Sequence, residues 1–207
     1  LLQINSDEEV GSDSSRPLTE EAAKRSNAVL VLEPGTGLEG KLKTARKGVG
    51  GYTVKVYGKA AHAGVDFQNG ASAVVELARQ IEKIAGFTQI ERGITVNPGV
   101  IAGGTRTNVI AAEAHVDVDI RIAKLKDAPA LDRKFRALKA MDKRCRVEVA
   151  GGLNRPPMER TPAVADWVQR AKQLAAGIGG DIEESATGGG SAVAYALYQI
   201  ATRWVSA

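Results

Sequence analysis

Cysteine is nearly absent from this sequence: Cys145 is the only one in 207 residues. A single thiol excludes an internal disulfide and any zinc cage built from cysteines. Aromatic residues are scarce, at 4%, which argues against a sheet surface that stacks RNA bases. No apolar run approaches the roughly 20 residues that cross a bilayer, so a membrane is not an implied partner. No secretory leader is visible either. That absence says little, because the chain opens on Leu1 without an initiator Met and its natural N-terminus is expected upstream. Lys and Arg total 28 against 24 acids, a net charge of +4, but the two signs are interspersed. Without a basic tract to follow a phosphate backbone, nucleic acid is not implied.

What is present is ordinary for a globular protein: 43% hydrophobic and 25% charged residues, enough chain for one large domain or two small ones. The organising stretch is Asn5-Ser6-Asp7-Glu8-Glu9-Val10-Gly11-Ser12. An apolar run, Leu1 to Ile4, reads as a buried strand that stops in three consecutive acids. Adjacent carboxylates repel unless something cationic neutralises them. One reading is a bound metal, with one glutamate ligating the ion and its neighbour reaching the water that the ion activates. The other is a solvated acidic turn leading into a helix.

Ser14-Ser15-Arg16-Pro17 then reads as a helix start, with serine as cap and proline in the first turn. The helix is expected over 18–25. Ala28 to Leu32 looks like a strand buried on both faces, ending in Glu33-Pro34-Gly35. Strand, helix, strand makes a βαβ unit, and parallel sheets of this kind hold ligands beyond the carboxyl ends of their strands. Both acid clusters are expected at that edge. From about Gly48 the pattern changes to strand (52–58), helix (71–84), strands (94–101 and 114–122), helix (127–141) and strand (146–150). This β-α-β-β-α-β order is the ferredoxin-like split unit. After Pro156-Pro157 the α/β pattern returns, with a helix over 163–176, a strand over 182–185, a glycine-rich turn and a helix from 192 to about 205. The expected fold is therefore an α/β domain with parallel strands, over 1–47 and 156–207, interrupted by a ferredoxin-like α+β insert over 48–155.

Six motifs taken together, DEEVGS, VLEPGTG, GKAAHAG, GGTRTNVIAAEAHVDVDIR, GLNRPP and TGGGS, resemble the co-catalytic zinc metallopeptidase and amidohydrolase family. That family includes glutamate carboxypeptidase, aminoacylase, acetylornithine deacetylase and succinyl-diaminopimelate desuccinylase, and the likeness is nearest to the glutamate carboxypeptidases. It covers residues 1 to 191. The resemblance implies two zinc ions about 3.5–4 Å apart sharing a hydroxide that attacks an amide. It makes Glu8 the general base, Glu9 a ligand of one zinc and Glu33 a ligand of the other. It gives His62 and Asn108 to the oxyanion of a partner subunit's site. Arg121 would grip a substrate carboxylate, a task suited to guanidinium geometry, and Arg155 would help recognise an acidic side chain. Gly189 and Gly190 would let backbone approach the substrate. The implied partners are a small peptide or N-acyl amino acid and a second copy docked through the insert, in the cytoplasm or periplasm.

The sequence departs from the family at the metal. The upstream His-x-Asp and the downstream histidine are missing, Ala192 stands where an aspartate is usual, and His115 lies within a strand of the insert. One carboxylate per ion holds zinc weakly, since protein zinc sites draw on three or four protein ligands. The expectation is a piece of an amide hydrolase that is inert by itself. The alternative is a non-catalytic dimerisation module. Cys145, among Lys143, Arg144 and Arg146, reads either as a thiol activated by its basic neighbours or as the start of a strand.

Overall fold

The computed structural model describes residues 1–189; the helix expected over 192–205 and the candidate residue Gly190 lie outside them. In chain order the elements are α1 (Arg16–Lys24), β1 (Leu42–Arg46), β2 (Gly48–Tyr57), α2 (Ala73–Ala85), β3 (Thr95–Gly103), β4 (Glu113–Ile122), α3 (Ala128–Arg136), β5 (Arg146–Arg155), α4 (Pro162–Gly177) and β6 (Glu184–Thr187). They divide into two compact units. One takes Leu1–Val49, Ala123–Leu125 and the chain from Arg155; the other takes Gly50–Ile122 and Lys126–Asn154.

The first unit is built on a parallel pair, β1 with β6, in which Leu42 faces Glu184 and Arg46 faces Thr187. Helix α4 packs on β1. Its start is fixed by Thr161, whose hydroxyl accepts from the Val164 amide at 3.3 Å, and by Pro162 in the first turn. The buried strands expected at Leu1–Ile4 and Ala28–Leu32 do not form: both runs are irregular, and Leu1, Leu2, Ile4, Leu30 and Leu32 are exposed. The βαβ reading of residues 1–33 is thereby corrected. Hydrophobicity makes a segment seek burial, but a strand exists only through hydrogen bonds to a neighbour. Among the described residues neither run has one. The pair that does form includes β1, Leu42-Lys43-Thr44-Ala45-Arg46, which falls outside the expected strands.

The second unit is a four-stranded sheet in the order β3-β4-β2-β5, the arrangement of the ferredoxin-like split unit. Strands β3 and β4 run antiparallel, with Val96 opposite Ile120 and Ala102 opposite His115. Strict alternation in β4 puts Val116, Val118, Ile120 and Ile122 into the core and His115, Asp117, Asp119 and Arg121 on the other face. Tyr52, Val54 and Val56 of β2 join that core with Leu77 and Ile84 of α2 and Leu131 and Phe135 of α3. The Tyr52 and Phe135 rings stack at 3.8 Å, and Phe87 meets Phe135 edge-on at 5.4 Å. Strand β5 runs past the expected end at Ala150 because its glycines fit close beside β2. A Cβ on Gly151 would lie 2.2 Å from the Gly51 carbonyl oxygen, and Gly151 itself holds φ +106°. Helix α3 is shorter than expected, ending at Arg136. Cys145 is buried directly before β5, and burial pushes its thiol up, with the Asp142 and Glu76 carboxylates adding to the rise. The strand-start reading of Cys145 holds, and the activated-thiol reading is corrected.

Glu76 and Gln80 of α2 are polar residues buried against this core, each 1% exposed. The Glu76 carboxylate accepts from the Met141 amide at 2.9 Å, the Asp142 amide at 3.0 Å and Gln80 Nε2 at 2.6 Å. It thus pins the connection between α3 and β5. Burial pushes the carboxyl up, but the two amides, Gln80 and Arg79 outweigh that and leave it below the usual range. A carboxyl lowered by folding contributes stability above its unfolded pKa, about 4.3, which is lost as pH falls. Glu76→Ala should therefore lower the urea unfolding free energy near neutral pH by roughly 1–3 kcal/mol, the cost of orphaned amides. The gap from wild type should narrow below about pH 4 as the wild-type carboxylate takes up its proton. A gap that is constant with pH would contradict this role.

Candidate functional site

The acid turn is a single 3₁₀ turn, Glu8–Val10, closed by Gly11 at φ +117°. Only glycine adopts that conformation without strain. Ser12 follows at φ +62°, the one non-glycine residue with positive φ among the described residues, and it is buried. Non-glycine residues persist there only when their surroundings force them. Asp7 does part of that work. Its Oδ2 accepts from the Ser14 amide (3.0 Å), the Ser14 hydroxyl (2.6 Å) and the Ser15 amide (3.0 Å). These bonds hold its carboxyl well below the usual carboxylate range. Ser15 makes no side-chain cap at α1, so the serine cap expected there does not form; Asp7, reaching from the acid turn, instead binds the two amides just ahead of the helix.

Glu8 is met by Arg155. Nη1 donates to Glu8 Oε1 at 2.9 Å, and Nη2 donates to the Glu8 carbonyl at 2.8 Å and to Ser12 Oγ at 3.5 Å. Glu33 is met in the same way by Arg46, which sits at the carboxyl end of β1 and hydrogen-bonds it. Glu8, Glu9, Glu33 and Pro34 line one cavity of about 380 Å³. The structure therefore brings together the three carboxylates proposed for the metal chemistry, but a guanidinium engages two of them. Among the described residues no group of three or more His, Cys, Asp or Glu side chains is arranged to hold an ion. These residues do not fit a pair of zinc ions. The supporting residues Arg46, Ser12 and Asp7 were not singled out by sequence reasoning. The one local hint for Arg46 was the alternation of β1.

In the second unit His62 and Asn108 are brought side by side. His62 bridges Val109 across an antiparallel step, and the Ala63 amide donates to the Asn108 carbonyl at 2.9 Å. Both side chains are exposed. Arg121 lies on the open face of β4, and its Nε and Nη2 donate to the two carboxylate oxygens of Asp119 at 2.9 and 3.0 Å. Gly189 follows the end of β6, its amide donating to Thr187 Oγ1 at 3.3 Å. Gly188 and Gly189 thus sit beyond the carboxyl end of β6, a strand of the parallel pair.

Residues 44–141 match a family model described as a peptidase dimerisation domain. Over 198 residues the chain is 30% identical to carboxypeptidase G2 of Pseudomonas sp. (strain RS-16), a match that takes in 93% of this chain and 47% of that protein. Aminopeptidase PepT from Bacillus cereus ATCC 10987 matches with a TM-score of 0.75 at 23% identity, over 91% of this chain and 52% of that one. A Bacillus subtilis dinuclear metal binding peptidase of the M20 family matches with a TM-score of 0.55 at 17% identity, over 81% and 40%. At those identities the two solved structures speak for the fold alone. The chain spans about half the length of these relatives or less. The matches bear out the family read from the six motifs.

The Gly64 amide donates to His62 Nδ1 at 3.2 Å. A ring nitrogen that accepts cannot carry the proton, so the neutral imidazole is the Nε2–H form, with its donor turned away from Gly64. Nitrogen-15 NMR of the neutral His62 ring should show the Nε2–H tautomer; a dominant Nδ1–H form would contradict the assignment.

Proposed function

We propose, for a chain that carries an M20 peptidase dimerisation domain at residues 44–141 and is homologous to carboxypeptidase G2, that it is the self-associating part of a zinc-dependent amide hydrolase of glutamate carboxypeptidase type. The 207 residues by themselves neither hold two zinc ions nor turn over an amide. Two observations carry this reading: an acid-lined cavity whose carboxylates are not arranged, among the described residues, as a group of three that could hold an ion, and a split βαββαβ unit. In the complete activity Glu8 would serve as base and Glu9 and Glu33 as ligands. Because the residues present do not fit the ions, no hydrolytic step is derived for this chain. The substrate class suggested is a peptide or N-acyl amino acid with an acidic C-terminal residue, whose carboxylate Arg121 would take in exchange for Asp119. His62 and Asn108 would be lent as donors to a second copy. One buried thiol needs no oxidising compartment, which suits a cytoplasmic setting.

Self-association is supported by the edge of the sheet. β3 is the terminal strand, Val100 and Ile101 on it are 59% and 58% exposed, and Val75 of α2 is 52% exposed. Beside them Val74, Leu77, Ile101, Ala102, Gly103 and Ala114 line a hollow of about 300 Å³. An exposed edge with apolar side chains is a template for a second strand, and a two-fold pairing of two such edges closes on itself. The dimerisation unit would be the insert expected over 48–155.

Two measurements check this. After dialysis the chain should retain well under one zinc, and it should release no amino acid from an N-acyl glutamate; two tightly held ions with turnover would refute the reading. In sedimentation the chain should run as a dimer at micromolar concentration, and Ile101→Asp should weaken the dimer at least about tenfold, as a charge buried in an apolar contact does. A monomeric wild type would end the dimerisation half of the proposal.

A further inference from the structure

Each of the two arginines at the acid cavity is more deeply buried than the glutamate it meets. The Arg155 side chain is 12% exposed against 30% for Glu8, and Arg46 is 8% exposed against 32% for Glu33. Arginine does not give up its proton in a protein, so a guanidinium this far from water has to keep an anion beside it. Both are anchored from behind. Arg46 exchanges its backbone amide and carbonyl with Met158, at 2.9 and 3.0 Å, while β1 pairs with β6. Arg155 is tied to three acceptors within five residues of the acid turn, Glu8 Oε1, the Glu8 carbonyl and Ser12 Oγ. They are not long side chains meeting by chance at a surface.

We propose that Arg46 and Arg155 are built-in counter-cations of the acid-lined cavity, which hold Glu33 and Glu8 closed to divalent metal in this chain. A metal ion that took either carboxylate would leave a buried guanidinium without its anion and place a second positive charge next to it. Both effects oppose binding, so the arginines and the metal compete for the same oxygens. The contact is autoinhibitory: the carboxylates become available only when the guanidinium groups are drawn away. In this account Arg155 is a positioning residue for the acid turn, where the sequence suggested a reader of substrate. The inference rests on the reading of Glu8 and Glu33 as carboxylates directed at a metal.

The test is Zn²⁺ binding by equilibrium dialysis on the full chain, comparing wild type with Arg46→Gln and Arg155→Gln, each checked for native circular dichroism. Each variant should bind Zn²⁺ about tenfold more tightly or better, the scale of removing one adjacent like charge. Adding Glu33→Gln to Arg46→Gln should abolish the gain. Folded variants that bind no tighter, or a gain that survives Glu33→Gln, would overturn the inference. A second measurement needs no variant. The guanidinium signals of Arg46 and Arg155 in the wild-type NMR spectrum should show hindered rotation, and free rotation of both would overturn the inference equally. If the variants bind no tighter while wild type stays inert, the inference falls and the functional reading stands. If the variants gain affinity while wild type turns over substrate, the inert-chain reading falls and the counter-cations stand.

Discussion

A carboxylate that leaves bulk water must find a cation or a set of donors, and much of this chain is arranged around that demand. Glu8 finds Arg155 and Glu33 finds Arg46. Asp7 finds the amides ahead of α1, and Glu76 finds those of Met141 and Asp142. Asp127, buried before α3, finds Arg92. In every case the partner comes from another part of the chain, so each acid ties two segments together. At the acid turn this means that the charge a metal would otherwise neutralise is already met by guanidinium. Two of the acids that give the chain its likeness to a metallopeptidase, Glu8 and Glu33, are therefore each met by an arginine.

Which features the sequence revealed follows from the range of the interaction behind each. The alternation from His115 to Arg121 was local and strong, and it correctly assigned the two faces of β4. The apolar stripe of α2 likewise placed Leu77 and Ile84 in the core, but periodicity gave no sign of Glu76 and Gln80 buried among them. Apart from the bond they make to each other, their hydrogen bonds reach partners 59 to 66 residues away. The same limit hid the ion pairs, since Glu8 and Arg155 are 147 positions apart. Leu1–Ile4 and Ala28–Leu32 failed for a different reason: composition reports an appetite for burial and cannot report whether a neighbouring strand exists. The motif match carried the family because six short patterns in order constrain far more than any one of them.

The two units carry different halves of the functional argument. The split βαββαβ unit offers an apolar edge at Val100 and Ile101 and sets His62 beside Asn108 on exposed chain. The other unit offers a cavity of about 380 Å³ lined by Glu8, Glu9 and Glu33, with Arg155 bound to Glu8 and Arg46 to Glu33. The first carries the match to a peptidase dimerisation domain, and in the second, arginines already engage two of the three glutamates at the cavity.

The most direct check is a crystal structure of the 207-residue chain grown in millimolar zinc, with anomalous data at the zinc edge. The account predicts no ordered zinc between Glu8, Glu9 and Glu33, with Arg155 and Arg46 still on their glutamates. Strong anomalous peaks bridging those carboxylates, with both guanidinium groups displaced, would contradict it.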